Sequence, residues 1–385
     1  MTTSNTLSTD KKPAIRNSGI ELLKILAILL IVLYHVCKTL SLTSDYVSFN
    51  GYVVAFDQPT ANIRYFILTL FSYGGSLGNN IFFISSAWFL LESKKLNMKK
   101  WMFMLFEVWI ISIAIFAIMT FVLNGEIDPY LILRSFFPTT FTNNWYITCY
   151  LLFYPIHPIL NSIIYKADQK QLLRMTSALC FIYILLNFFF HNVFLWNYLF
   201  FWTALYFVMA YLKLYLKDAI EDKKRNVLML IFGFLGYILV AVIANYVGIM
   251  DPDRSYVLYW NASVNPFLIL IALSSFNLMR KTTFKSRIIN YISSLSLLIY
   301  IIHENIIIRE YLRPAMWDYV YKNIGYDLII LDSLALMVII FIASVIISAL
   351  YDVSIRRIVR KISEVLYELI SKICLKIETG LLRLK

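Results

Sequence analysis

Charge is scarce in this chain. Asp, Glu, Lys and Arg make up 15% of its 385 residues, hydrophobic residues 60%, and the mean hydropathy is +0.70. A water-soluble domain of this length needs far more charge to keep its surface wet, so a soluble fold is excluded. Lipid-facing helices are what leave so much apolar surface uncovered by protein. Cysteine is scarce too: Cys37, Cys149, Cys180 and Cys374 have no metal or redox spacing and read as buried membrane cysteines. There is no internal repeat and no separate soluble domain. No small-x-small cleavage site follows the first apolar run, and Tyr34-His35-Val36 before Cys37 is not a lipoprotein signal. The run reads as a retained transmembrane helix.

What is present is a series of apolar runs near 20–38, 78–92, 101–123, 145–164, 173–190, 194–212, 227–249, 257–279, 288–308 and 329–350. A span needs about 20 residues, which predicts an all-α, polytopic transmembrane bundle of about ten spans. The second run is short, and Gly74-Gly75-Ser76-Leu77-Gly78-Asn79-Asn80 just before it predicts a break or unwound segment. The chain divides into a cytoplasmic segment 1–19, a membrane domain 20–350 and a basic tail 351–385. The net charge of +12 does not point to nucleic acid, because the cations cluster between apolar runs. With the amino terminus inside, 27 Lys and Arg residues fall on the cytoplasmic side and 7 outside. That bias predicts a multi-pass protein of the cell membrane with both termini cytoplasmic. In the tail, Ile355, Ile358, Ile362, Val365, Leu369, Ile373 and Ile377 recur at helical spacing among basic residues. This predicts an amphipathic cytoplasmic helix on anionic membrane lipids.

Ionisable groups inside a bilayer are costly, so each is a candidate site. Lys24 and His35 are eleven residues apart, three helical turns, and share one stripe of the first span about 16 Å apart. One reading is that Lys24 snorkels to the inner surface and His35 packs near the outer one; the other is that both are functional. His303 and Glu304 approach the outer end of the ninth span, and the fourth begins there with Asn143, Asn144, Trp145 and Tyr146. The aromatics alone fit an interfacial belt. Two histidines, a carboxylate and amides at one depth fit a site where a neutral His takes a hydroxyl proton and a carboxylate orients it. Glu107 either lines a polar cavity or pairs with Lys24. His157, before Pro158, fits local bonding at a kink, and His191 a solvated turn.

Four segments in order resemble the acyltransferase-3 family of integral-membrane acyltransferases. They are Arg16-Asn17-Ser18-Gly19-Ile20-Glu21-Leu22-Leu23-Lys24 leading to His35; Asn80 to Leu90 with Phe82-Phe83-Ile84-Ser85-Ser86-Ala87; Asn144 to Tyr150 running on to Pro158-Ile159-Leu160-Asn161; and Ser294 to Asn305. Lys24 stands where many members have Arg, and Ala87 where a Gly is usual. The appended esterase-like domain of some members is missing.

The resemblance implies O-acyl transfer, usually acetyl from acetyl-CoA, to a sugar hydroxyl of a surface polysaccharide or lipid-linked oligosaccharide, as in exopolysaccharide or capsule synthesis. It implies acyl-CoA as a co-substrate, with no permanently bound cofactor and no metal. His35 would be general base or transient acyl acceptor, supported by His303 and Glu304. Lys24, Arg16, Ser86 and Glu107 would serve the donor, and Asn143, Asn144, Trp145 and Tyr146 the acceptor. A flippase or transporter, or a repeat-unit polymerase, are the alternatives. The missing repeat counts against the first, and the modest outer loop near 39–62, with no Arg, against the second.

Overall fold

The computed structural model describes residues 16–40, 63–93, 95–125, 127–141, 143–190, 197–250, 264–324 and 328–382. Among them there is no strand. The helices are α1 (Ser18–Leu40), α2 (Ile63–Leu90), α3 (Met98–Val122), α4 (Pro129–Phe136), α5 (Trp145–Lys166) and α6 (Gln169–Cys180), which runs through a π-helical turn into α7 (Leu186–Phe190). They continue with α8 (Tyr198–Tyr215), α9 (Lys217–Glu221), α10 (Lys223–Met250), α11 (Pro266–Arg280), α12 (Arg287–Ser294), α13 (Ser296–His303), α14 (Arg313–Asn323), α15 (Ile329–Ser354) and α16 (Arg356–Leu382).

The bundle is transmembrane and all-α, as the sequence predicts. Seven described segments are long and apolar enough to cross a bilayer: α1, α3, α5, the α6–α7 run, α8, α10 and α15. The other three expected spans correspond to α2, to α11 and to the α12–α13 pair. Polarity is inverted relative to a soluble protein. Ile231, Leu235, Leu239, Ile339, Ile342, Ile346 and Leu350 face outward from α10 and α15, while the aromatic core of Phe83, Phe153, Trp202 and Tyr206 is buried. Polar side chains hold helix to helix inside. Asn161 donates to the carbonyls of Leu90 and Ser93 and accepts from the Tyr206 hydroxyl at 2.6 Å.

The expected break at Gly74–Asn80 is not there: α2 is one helix from Ile63 to Leu90. The glycines serve contact with α1 instead. A Cβ on Gly78 would stand 2.5 Å from the Ala27 carbonyl oxygen, and one on Gly75 would enter the Tyr34 ring at 2.5 Å. Helices in lipid gain nothing from hydrophobic burial against each other, so missing side chains that let backbones touch are a main source of attraction. Gly74 and Gly78 have the small-xxx-small spacing of such a face. Sequence reading took these residues as helix breakers, which is their weight in water rather than in a packed membrane interface.

The ninth expected span, by contrast, is not a single helix. It stops at Leu295 between α12 and α13, and the chain beyond His303 turns through Glu304 and a π-helical stretch at Ile308–Leu312 into α14. Asn17 starts α1 by accepting from the Gly19 and Ile20 amides, and its side-chain amide donates to the Arg280 carbonyl at 2.7 Å. The tail forms α16, with Ile358, Ile362, Val365, Leu369 and Ile373 exposed along one stripe. Its first turn is tied to α3 by Arg356–Glu107 at 2.8 Å, and a later one by Lys99–Glu368 at 3.5 Å.

Gly78→Ala forces backbone apart, because the obstructing atom is a carbonyl rather than a mobile side chain. The expected loss is about 1–3 kcal/mol of stability, read as a lower unfolding midpoint in detergent.

Candidate active site

The amino-terminal half of α1 lines a cavity of about 380 Å³ with α2, α3, α5 and the α12–α13 break. Arg16, Lys24, Lys100 and Glu21 stand in its wall, three cations against one carboxylate, together with Ser293, Ser294 and Ser296. Glu21 accepts from Ser293 at 2.5 Å and lies 3.4 Å from the Lys24 ammonium. From there the wall continues along Ile28 and Ile31 of α1, past Asn79, Phe82 and Ser86 of α2, to Tyr146 and Tyr300.

One turn beyond Ile31, His35 meets His303. His35 Nδ1 lies 3.1 Å from His303 Nε2 and 3.2 Å from a Glu304 oxygen, and all three residues are buried. The hydrogen-bond chain assigns the tautomers. His303 Nδ1 is 2.7 Å from the Ile299 carbonyl, which can only accept, so His303 carries its proton there and offers a lone pair at Nε2. Both neighbours of His35 Nδ1 are then acceptors. His35 carries its proton on Nδ1, and its Nε2 is left with the lone pair, the form a general base needs. The Glu304 carboxylate beside Nδ1 stabilises the imidazolium that forms when Nε2 takes a proton.

Arg313 holds the carboxylate in turn. Its guanidinium lies 2.9 Å from Glu304, donates to the His303 carbonyl at 2.6 Å and reaches the His35 carbonyl at 3.3 Å. Arg309 approaches the other Glu304 oxygen at 3.4 Å. Sequence reading missed Arg313, counting it among outer-loop cations. The one available signal was its place nine residues after Glu304, within reach of a carboxylate that needs a counter-charge. Ligand atoms of His35, His303 and Glu304 lie within 4.8 Å of one another, a spacing that suits a metal ion. The two guanidiniums already on Glu304 oppose a further cation there.

The expected site residues divide. His35, His303 and Glu304 come together, and Lys24, Arg16, Ser86 and Tyr146 share the cavity that ends beside them. Glu107 neither lines this cavity nor pairs with Lys24: it is buried against Arg356 of the tail, a partner too distant in sequence to foresee. Asn143 accepts from Arg134 Nε and donates to the Arg134 carbonyl, tying α4 to the start of α5. Asn144 is buried at that start, and Trp145 stacks on Tyr198 with ring centroids 4.0 Å apart. Of these four only Tyr146 stands in the cavity wall. His157 bonds the Tyr154 carbonyl within its own helix, as its position before Pro158 suggests. His191 lies outside the described residues.

A lone-pair histidine backed by a carboxylate, at the end of a cavity inside a membrane bundle, can take up and return a proton. The class of protein is given by comparison with known proteins. A family model described as an acyltransferase domain, of the acyltransferase-3 type, matches residues 17–353, and the chain belongs to that family. The match starts at the cap of α1 and ends in the last turn of α15. No curated protein and no solved structure matches the chain.

Arg313→Met leaves the Glu304 carboxylate buried without its nearest counter-charge. The expected cost is roughly 3–5 kcal/mol, with part recovered on adding Glu304→Gln. Unfolding curves of the two singles and the double measure it.

Proposed function

We propose that this membrane acyltransferase moves an acetyl or other short acyl group from acyl-CoA to a sugar hydroxyl of a surface or lipid-linked polysaccharide. It does so in the cell membrane, with both termini in the cytoplasm. The observation that carries the reading is the cavity's polarity: cationic beside Arg16, Lys24 and Lys100, apolar along Ile28 and Ile31, and ending one turn below the His35–His303 pair. That sequence of surfaces matches acyl-CoA, whose phosphates are anionic, whose pantetheine arm is slender and whose thioester is terminal.

Lys24, Arg16 and Lys100 hold the phosphates, with Ser86 along the arm's path. The Lys24-to-His35 rise of about 16 Å spans the arm. His35 Nε2 accepts the proton of the attacking sugar hydroxyl, and Glu304 with His303 keeps the imidazole oriented and stabilises its charged form. An alternative first step has Nε2 itself accept the acyl group before passing it to the sugar. Asn143, Asn144 and Trp145 belong to the opposite, acceptor-facing end, where they shape the α4–α5 corner. The inward bias of Lys and Arg supports the reading that the Lys24 end faces the cytoplasm, where acyl-CoA is made. The tail helix α16 rests its exposed apolar stripe on the anionic inner leaflet.

Mass spectrometry of the host's surface glycan, with and without the gene, tests the function. Loss of acyl groups with chain length unchanged is expected, and loss of polymer would overturn it. His35→Ala abolishes transfer of labelled acetyl from acetyl-CoA, whereas undiminished transfer removes His35 from the chemistry. Lys24→Met raises the KM for acetyl-CoA roughly tenfold, about 1.4 kcal/mol, while Lys24→Arg does not.

A further inference from the structure

Three residues that line the cavity each carry a buried polar atom with no partner. The Tyr300 hydroxyl, the Tyr146 hydroxyl and the Asn79 side-chain oxygen are buried and make no hydrogen bond within the protein, and all three residues line the one cavity. Tyr300 as a whole is 5% exposed. A buried hydroxyl left unsatisfied is costly, and here two of them belong to residues lining one cavity. The tyrosines gather at the histidine end of the cavity: their ring centroids are 6.1 Å apart, and the Tyr300 ring meets His303 edge-on at 5.7 Å.

We infer that Tyr300 and Tyr146 form the oxyanion hole of the acyl transfer, donating to the thioester carbonyl oxygen, while Asn79 accepts from an amide N–H of the pantetheine arm. The inference rests on the acyl-CoA reading of the cavity. The sugar oxygen attacks the carbonyl carbon and forms the new C–O bond as its proton passes to His35 Nε2. The carbonyl π pair moves onto oxygen, and the two phenol O–H groups stabilise that charge. When the pair returns, the C–S bond breaks, and the thiolate takes the proton from the His35 imidazolium and leaves as CoA thiol. Charge appears first on oxygen and then on sulfur, and donors unpartnered in the resting enzyme need no bond broken to meet it. Asn79 acts earlier, aligning the arm so that the thioester reaches the tyrosines.

The test uses the full-length protein in native membranes that carry its acceptor, with acetyl-CoA as donor and release of CoA thiol as the readout. Tyr300→Phe and Tyr146→Phe each lower kcat about 100-fold with the KM for acetyl-CoA within twofold, and Asn79→Ala raises that KM with kcat little changed. Both Phe variants unfold no earlier than wild type, since each removes an unsatisfied hydroxyl and keeps the ring. Phe variants that turn over within threefold of wild type, singly and together, overturn the oxyanion hole while acetyl-CoA use by wild type stands. Activity lost together with thermal stability overturns it in favour of a packing role. A wild type that neither binds nor consumes acetyl-CoA overturns the reading of the cavity, and the inference with it.

Discussion

The contact between Glu304 and Arg313 is the interaction on which the site depends. A carboxylate moved into a low-dielectric interior loses several kcal/mol of solvation even after relaxation, and only a close counter-charge with its hydrogen bonds met offsets that. Arg313 supplies both, and its remaining donors go to the backbone carbonyls of His35 and His303. One guanidinium therefore joins α1, the end of α13 and α14. The chain bends sharply after His303 to make this possible: a helix running straight on would carry position 313 some 15 Å beyond position 303. The imidazole pair gains its tautomers from the Ile299 carbonyl, which faces His303 one helical turn back inside α13.

Much of this was legible in the sequence, for a reason particular to membranes. Where nearly every residue is apolar, an ionisable one stands out, and Lys24, His35, His303 and Glu304 were each conspicuous against such a background. Helical periodicity then put the first two on one stripe. The hydropathy runs gave α1, α3, α5, α8, α10 and α15 within a few residues, since the bilayer sets a length that local sequence cannot evade.

The remainder was hidden because it is made by partners far apart along the chain. Arg313 lies in a polar stretch where cations are ordinary, and only the turn through Glu304 buries it. Glu107 was visible as a misplaced charge, but its partner Arg356 lies 249 residues away, in a tail that read as a surface helix. Tyr146 and Tyr300 looked like two more aromatics among 27 tyrosines. What distinguishes them is a missing hydrogen bond, and sequence records no such thing. The glycines of α2 misled because glycine has two uses, loosening a backbone or bringing two together, and the choice belongs to the neighbour.

That close approach of α2 to α1 has a mechanical consequence. With Gly75 against the Tyr34 ring and Gly78 against the Ala27 carbonyl, α1 can neither roll nor slide along α2 without collision. The helix that carries Lys24 at one end and His35 at the other thus acts as a gauge block, its two marks at a fixed interval through every turnover. The interruptions of the fold lie elsewhere, at the joint at Leu295 and the π-helical stretches at Phe181–Leu185 and Ile308–Leu312.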